Sequence, residues 1–312
     1  MELYRCLRVF PVVALATAGL IAVAGRPSPM DAGGAAWSPP DCATRPPEPT
    51  LVVRGSGLAG GAAWFRLEPV LDGTGTLAGQ RLVVGSGGGV ARWIALHAEA
   101  SASSSRDGTV LVADDDGSRS RLFAVDALRG CSSAIGSTPD VVRSAVAAPD
   151  GSVVEHRVDR VTREDRGVWR RFAGHVARRI LPGLRAADPY GRTFSTLLRV
   201  EDDGRVVASS CGLQACRVRV LDADGRVRMV ERTGPAVGLV GDGVVVREAC
   251  TGLPCPVLLL PLDGQGRARV LVDAAGDASL AAPGRLVFVG ADGMTHRLDV
   301  PALSSDAAES VR

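Results

Sequence analysis

The chain contains no lysine, so all 36 of its basic residues are arginine; against 34 acids they leave a formal net charge of only +2. A balance that close excludes the bulk electrostatic pull on which nonspecific nucleic-acid binders rely. Aromatic residues make up 4% of the sequence, too few for a base- or sugar-stacking surface. The only histidines are His97, His156, His175 and His296, and no two of them stand at H-x-x-x-H or H-E-x-x-H spacing. A zinc site built on one helix is therefore excluded, and each histidine reads as a surface or rim residue. No G-x-S-x-G occurs, so a nucleophile elbow has no candidate. The sequence assigns no catalytic residue, no cofactor and no metal.

What the chain has is glycine, alanine and valine. Its 38 Gly and 19 Pro suit many turns and few long helices. The lysine-free, alanine-rich composition reads as a high-GC, bacterial codon bias.

The strongest pattern is a unit that occurs twice. Asp203-Gly204 and three further residues lead to Cys211, then Cys216, a strand-like run, and Asp224-Gly225. Asp242-Gly243 leads in the same way to Cys250, Cys255, the apolar run from Val257 to Leu260, and Asp263-Gly264, with an offset of 39 at each landmark. Repetition near 40 residues, built from strands and turns, is the mark of β-propeller blades. Further Asp-Gly pairs at Asp107, Asp116, Asp150 and Asp292 read as hairpins with type I′ turns, because both residues tolerate positive φ. Unit-opening pairs at 107, 150, 203 and 242 leave an insertion in the third unit. About six blades fit between residues 50 and 305.

Ahead of them, residues 1–24 read as a secretory signal peptide. Arg5 and Arg8 form the basic region, an apolar run follows, and Ala22-Val23-Ala24 is the cleavage site. An uncleaved anchor is the alternative. Residues 25–49 form a Pro-rich, extended linker, and 306–312 a disordered tail.

Pro149-Asp150-Gly151-Ser152-Val153-Val154 resembles the opening strand of TolB-like and WD-repeat-like bacterial propeller blades. The resemblance spans residues 50–305 at most, and the chain lacks the Trp-Asp dipeptide of WD repeats. It implies a secreted, actinobacterial-type propeller. The expected fold is thus all-β, a propeller of about six four-stranded blades behind a signal peptide and linker.

Seven cysteines occur. Removal of Cys6 with the signal leaves six, a parity that fits disulfides in an oxidising compartment. Cys211 with Cys216, and Cys250 with Cys255, would each close a hairpin across adjacent strands. Cys42 and Cys131 then remain for each other by elimination. A four-thiolate zinc site is the competing reading, disfavoured by C-x4-C spacing.

Three other stretches carry a chemical suggestion. Gly55-Ser56-Gly57-Leu58-Ala59-Gly60 matches a dinucleotide fingerprint, but no strand–helix rhythm follows, so it reads as a loop. Asp114-Asp115-Asp116-Gly117 has carboxylates for calcium without the alternating ligand spacing, so it reads as a turn. Residues 155–179 hold eight Arg against four acids. Arg157, Arg160, Arg163, Arg166, Arg170 and Arg171 form a candidate interaction patch, the competing reading being a solvated face whose charges pair across the hairpin.

The expected function is a secreted or surface-exposed, non-catalytic binding module for an envelope or extracellular protein. It is expected to be monomeric, without nucleic acid and without stable membrane insertion after cleavage. The alternative is a propeller hydrolase or lactonase with carboxylates or a metal at the channel mouth. An enzyme of that kind gathers Asp, Glu or His from several blades into one pocket.

Overall fold

The computed structural model describes residues 64–303, apart from 86–91, 105–108, 127–130, 185–194, 213–214, 233, 249–253, 264–266 and 283. The signal peptide, the linker, Cys42, the 55–60 motif, Cys250 and the tail lie outside the described residues. Among those described there is no helix, and hence none long and apolar enough to cross a membrane.

The described residues form six antiparallel sheets in chain order, each a meander of consecutive strands. Blade 1 comprises β1 (Trp64–Leu71), β2 (Leu77–Gly85) and β3 (Arg92–Leu96). Blade 2 comprises β4 (Ser101–Ser104), β5 (Thr109–Asp115), β6 (Ser120–Asp126) and β7 (Cys131–Thr138). Blade 3 has β8 (Val141–Ala147), β9 (Val153–Val158), β10 (Asp165–Arg171) and β11 (Arg178–Leu181). Blade 4 has β12 (Ser195–Val200), β13 (Val206–Cys211), β14 (Cys216–Leu221) and β15 (Val227–Arg232). Blade 5 has β16 (Ala236–Val240), β17 (Gly243–Arg247), β18 (Cys255–Pro261) and β19 (Arg269–Ala275). Blade 6 has β20 (Ala278–Ala282), β21 (Arg285–Val289) and β22 (Thr295–Asp299). The fold is a β-propeller.

Its core consists of five apolar clusters, one at each junction between successive blades. The middle strands feed two clusters at once, because side chains alternate across a strand. In β5, Val110 and Val112 face blade 1, while Leu111 and Ala113 face blade 3. Such strands are buried on both faces, which is why they read as unbroken apolar runs rather than alternating ones. Toward the last strand of a blade the burial fades, and β15 and β22 are largely exposed.

The first strands of successive blades are tied together by one side chain. Arg199 of β12 donates to the carbonyls of Val237 in β16 (2.9 Å) and Leu280 in β20 (3.2 Å). A Cβ at Gly238 would lie 2.5 Å from the Leu280 side chain and 3.2 Å from Arg199 Nε, so that glycine makes room for the tie.

The Asp-Gly hairpins are real but of a different type from that expected. Type I′ turns require positive φ at both central residues, and the only non-glycine with positive φ among the described residues is Arg163. Instead Gly151, Gly204, Gly225 and Gly293 each donate to the carbonyl three residues back while they adopt positive φ. This is the three-residue loop, a type I turn closed by a glycine bulge. The aspartate contributes through its side chain. Asp150, Asp203, Asp224 and Asp292 each accept the N–H two residues on, at 2.9–3.1 Å.

Both the phase and the period of the repeat also need correction. Each unit-opening Asp-Gly lies between the first and second strands of a blade, so the sequence unit starts one strand late. In blade 5 that turn is Gly241-Asp242, two residues rather than three, with Val240 paired to Gly243. The shorter turn moves β17 by one residue. Val207 pairs Val220 and Val245 pairs Leu259, an offset of 38, whereas Cys216 and Cys255 keep 39. A slip of one residue exchanges the faces of a strand: Val206 faces blade 3, but Val245, its counterpart at 39, faces blade 6.

Candidate functional site

Connections alternate between two faces of the ring. One face, here the upper, carries residues 97–100, 116–119, 139–140 and 159–164. The lower carries 148–152, 172–177, 201–205 and 222–226. The third blade departs from the apolar rule just beneath the upper face. Its second strand, β9, is buried at every position, yet it reads Val-Val-Glu-His-Arg-Val. The alternation sends Glu155 and Arg157 toward blade 2, and His156 toward blade 4.

Glu155 is fully buried. Its Oε1 accepts from Arg157 Nη2 and from Arg171 Nε at 3.3 Å, which makes a buried triad of one carboxylate and two guanidiniums. Glu155 Oε2 has no hydrogen-bond partner. Arg157 is capped by the ring of Trp169, 4.4 Å from its centroid, and Arg171 reaches the carbonyl of Ser137 in blade 2. Gly136 yields space for it, since a Cβ there would stand 2.5 Å from Arg171 Nη1.

On the other side of β9, His156 is 1% exposed, and this corrects its assignment as a rim residue. Its Nε2 lies 3.0 Å from Asp165 Oδ1, while Nδ1 has no partner. Asp165 also accepts from the N–H groups of Gly167 (2.6 Å) and Leu184 (2.9 Å). Burial pushes the Asp165 carboxyl up, but the bond and charge of His156 and these two N–H groups outweigh it and hold the group low. The close approach that brings Leu184 there needs glycine. A Cβ at Gly183 or at Gly167 would overlap the opposing backbone. A histidine held by a carboxylate is the orienting arm of a nucleophile relay. Ser144, opposite His156 in β8, instead donates to the carbonyl of Thr196 at 3.0 Å.

Above these networks the upper face is layered by charge. Arg160 makes two 2.7 Å bonds to Asp115 of blade 2 and a third to the carbonyl of Pro139. Burial raises the Asp115 carboxyl, but the bonds from Arg160, Ser120 and the Gly117 N–H bring it down to about 2. Arg121 pairs with Asp116 at 2.8 Å, and Arg166 with Asp159. In these pairs the carboxylate is the inner partner. Arg121 is 60% exposed against 14% for Asp116, and Arg166 52% against 16% for Asp159. The Ser118 hydroxyl, foremost, and backbone N–H groups hold Asp116 low; for Asp159 the Thr162 N–H leads, then Arg166. Guanidiniums therefore form the outer layer over carboxylates that stay ionised.

The six predicted patch arginines are not one surface. Arg160, Arg163 and Arg166 stand on the upper face. Arg157 and Arg171 are buried, and Arg170 points to the lower side, toward Asp150 and the carbonyl of Gly204. Sequence reasoning missed Glu155, His156 and Asp165; the signal was an Asp-Gly-Ser-Val-Val strand that turns charged after two residues. Asp114-Asp115-Asp116 is not a metal cluster. Asp114 holds His97 at 2.9 Å, Asp115 holds Arg160 and Asp116 caps its own turn, and no group of three metal-ligating side chains occurs among the described residues.

Cys211 and Cys216 form a disulfide directly across β13 and β14, as the spacing suggested. Cys131 and Cys255 are disulfide-bonded as well, while Cys42 and Cys250 lie outside the described residues.

No protein-family model matches the chain, and no curated protein matches it. Among solved structures it is similar to TolB from Acinetobacter baumannii, with a TM-score of 0.47 and 14% identity over 78% of this chain and 65% of that one. It is also similar to the β-propeller domain of the Trilobed protease from Pyrococcus furiosus (0.47, 10%, 72% of each chain). The Dos1 propeller gives 0.46 and 12% over 76% of this chain and 73% of that one. The chain thus spans about two thirds of the TolB chain. At these scores the likeness says nothing of ligand or activity.

Proposed function

We propose that the protein is an extracytoplasmic binding module, without catalysis of its own, that holds an envelope or extracellular protein on its upper face. One observation carries the reading: over blades 2 and 3 that face presents guanidiniums outward on a fixed layer of carboxylates. Arginines locked this way lose little freedom on binding, the condition under which a charged surface contributes affinity and not only encounter rate. The disulfide of blade 4 supports an oxidising compartment. Propellers expose long loops on rigid blades, a form suited to recognition.

A second reading, a hydrolase or lactonase, rests on the His156–Asp165 pair. The test separates the two. Amine-directed crosslinkers find no side-chain amine on a lysine-free chain, so carboxyl-to-amine coupling in intact cells is the appropriate probe. A discrete protein adduct is expected, lost when Arg160 and Arg166 are both changed to Glu. Turnover of simple ester or lactone substrates by the purified chain, abolished by His156→Gln, would reject the non-catalytic reading.

A further inference from the structure

The connection between β9 and β10 is more tightly built than a solvated loop requires. Asp159 Oδ1 accepts the N–H groups of Val161 (2.9 Å) and Thr162 (2.8 Å), the Arg163 N–H donates to the Asp159 carbonyl, and Arg160 clamps the whole loop to blade 2. At its tip Val161 is 88% exposed. Arg163 beside it has φ 60°, in the left-handed region. Glycine occupies the other positive-φ positions among the described residues, so this chain fills such sites with glycine as a rule. An arginine there strains the backbone. Its guanidinium pairs with Glu99, at 3.3 Å from each of two nitrogens, with both side chains well exposed. An exposed pair of that kind does little to offset the strain. The guanidinium is thus retained at a cost that the fold does not recover.

We infer that the 159–164 loop is the recognition tip of the module: Val161 enters an apolar recess of a protein partner, and Arg163, with Arg166 and Arg121, meets carboxylates around that recess. The inference rests on the binding-module reading and names its surface and the chemistry of its partner. Guanidiniums such as Arg121 and Arg166, held outward of their less exposed carboxylates, are complementary to acidic groups. An exposed valine at their centre favours a protein over a phosphate polymer, which has no apolar recess to offer. Glu99 and Glu164, exposed among the arginines, repel a continuous polyanion but leave room for separate carboxylates.

The test is photo-crosslinking in intact cells with the full chain. A benzophenone side chain is placed at position 161 and, in a second protein, at 176 on the lower face, where Val176 is 95% exposed. The expected result is a protease-sensitive adduct from 161 with an acidic protein. Its yield should drop roughly fivefold or more in the Arg163→Gly background, as expected for a lost charged contact at an interface. In the same variant the melting temperature should hold or rise, because glycine accepts the left-handed conformation without strain. A fall in melting temperature would make Arg163 a structural residue and overturn the inference. So would an adduct that Arg163→Gly leaves unchanged, or one removed by nuclease or phosphatase rather than protease. Adducts from 176 alone would overturn this inference and leave the binding module standing, whereas adducts from neither position would count against both.

Discussion

Two blades solve the same packing problem in opposite ways. Glu155 in β9 and Val246 in β17 occupy the same place in their blades: three residues past the pair that closes the first hairpin (Ala148 with Ser152, Val240 with Gly243), pointing at the preceding blade, and 0% exposed. Around Val246 lie Val207, Val218 and Leu260. Around Glu155 lie Arg157, Arg171 and the ring of Trp169. The apolar junction draws its stability from area removed from water. The charged junction must first meet the desolvation of three ions, and only its geometry repays that. The blade that carries this costly junction is also the one that holds the upper-face arginines, which links the buried triad to the support of a surface rather than to stability.

Exchanging the two solutions should break the protein to different degrees. Val246→Glu leaves a carboxylate in an apolar junction with no cation, and the expected outcome is loss of cooperative unfolding, read by thermal circular dichroism. Glu155→Val strands two buried guanidiniums and should cost about 3–5 kcal/mol in urea unfolding. Adding Arg157→Met and Arg171→Met to Glu155→Val should restore stability to within about 1 kcal/mol of the wild type, or exceed it, because an apolar replacement of a buried ionic group is often neutral or better. If the triple variant stays as weak as the single one, the charged junction is a structural necessity and the comparison fails.

Smaller effects sharpen the contrast at the edges of the junctions. Opening the Cys211–Cys216 disulfide with a double serine variant should cost about 2 kcal/mol by loop entropy, confined to blade 4. Acid separates the charged blade from the apolar ones. Asp115, at about 2, and Asp165 are both depressed in the folded protein. Their stabilisation is therefore complete above the ordinary carboxylate range near about 4 and is lost as pH falls through the folded values. Stability should rise with pH between about 2 and about 4, and Asp115→Asn should flatten that slope. A urea midpoint that does not move with pH in this window would remove the carboxylate layer from the account of the upper face.

The strands, the turns and the number of blades were legible because each depends on neighbours in sequence. A middle strand buried on both faces must be apolar throughout, and a hairpin needs a residue that tolerates positive φ, so Val206–Val207 and Gly204 announce themselves. The cysteine spacing at 211 and 216 was legible for the same reason, since the two residues meet across one short hairpin. The period of the repeat was not, because a turn one residue shorter at Gly241-Asp242 exchanges the faces of a strand while the cysteine landmarks stay at 39.

The site was hidden for a related reason. Arg157, Arg160 and Arg170 look alike in sequence, yet the first is buried, the second docks on the upper face and the third points to the lower side. Local chemistry determined what each segment could become: an all-β chain, about six blades, and a disulfide across one hairpin. Which charges are buried and which face outward was decided only when neighbouring blades closed around β9, because Asp115 and Ser137 come from other strands and Pro139 and Glu99 from the connections between blades. The partner that neutralises or exposes an arginine is supplied by the ring, not by its neighbours along the chain.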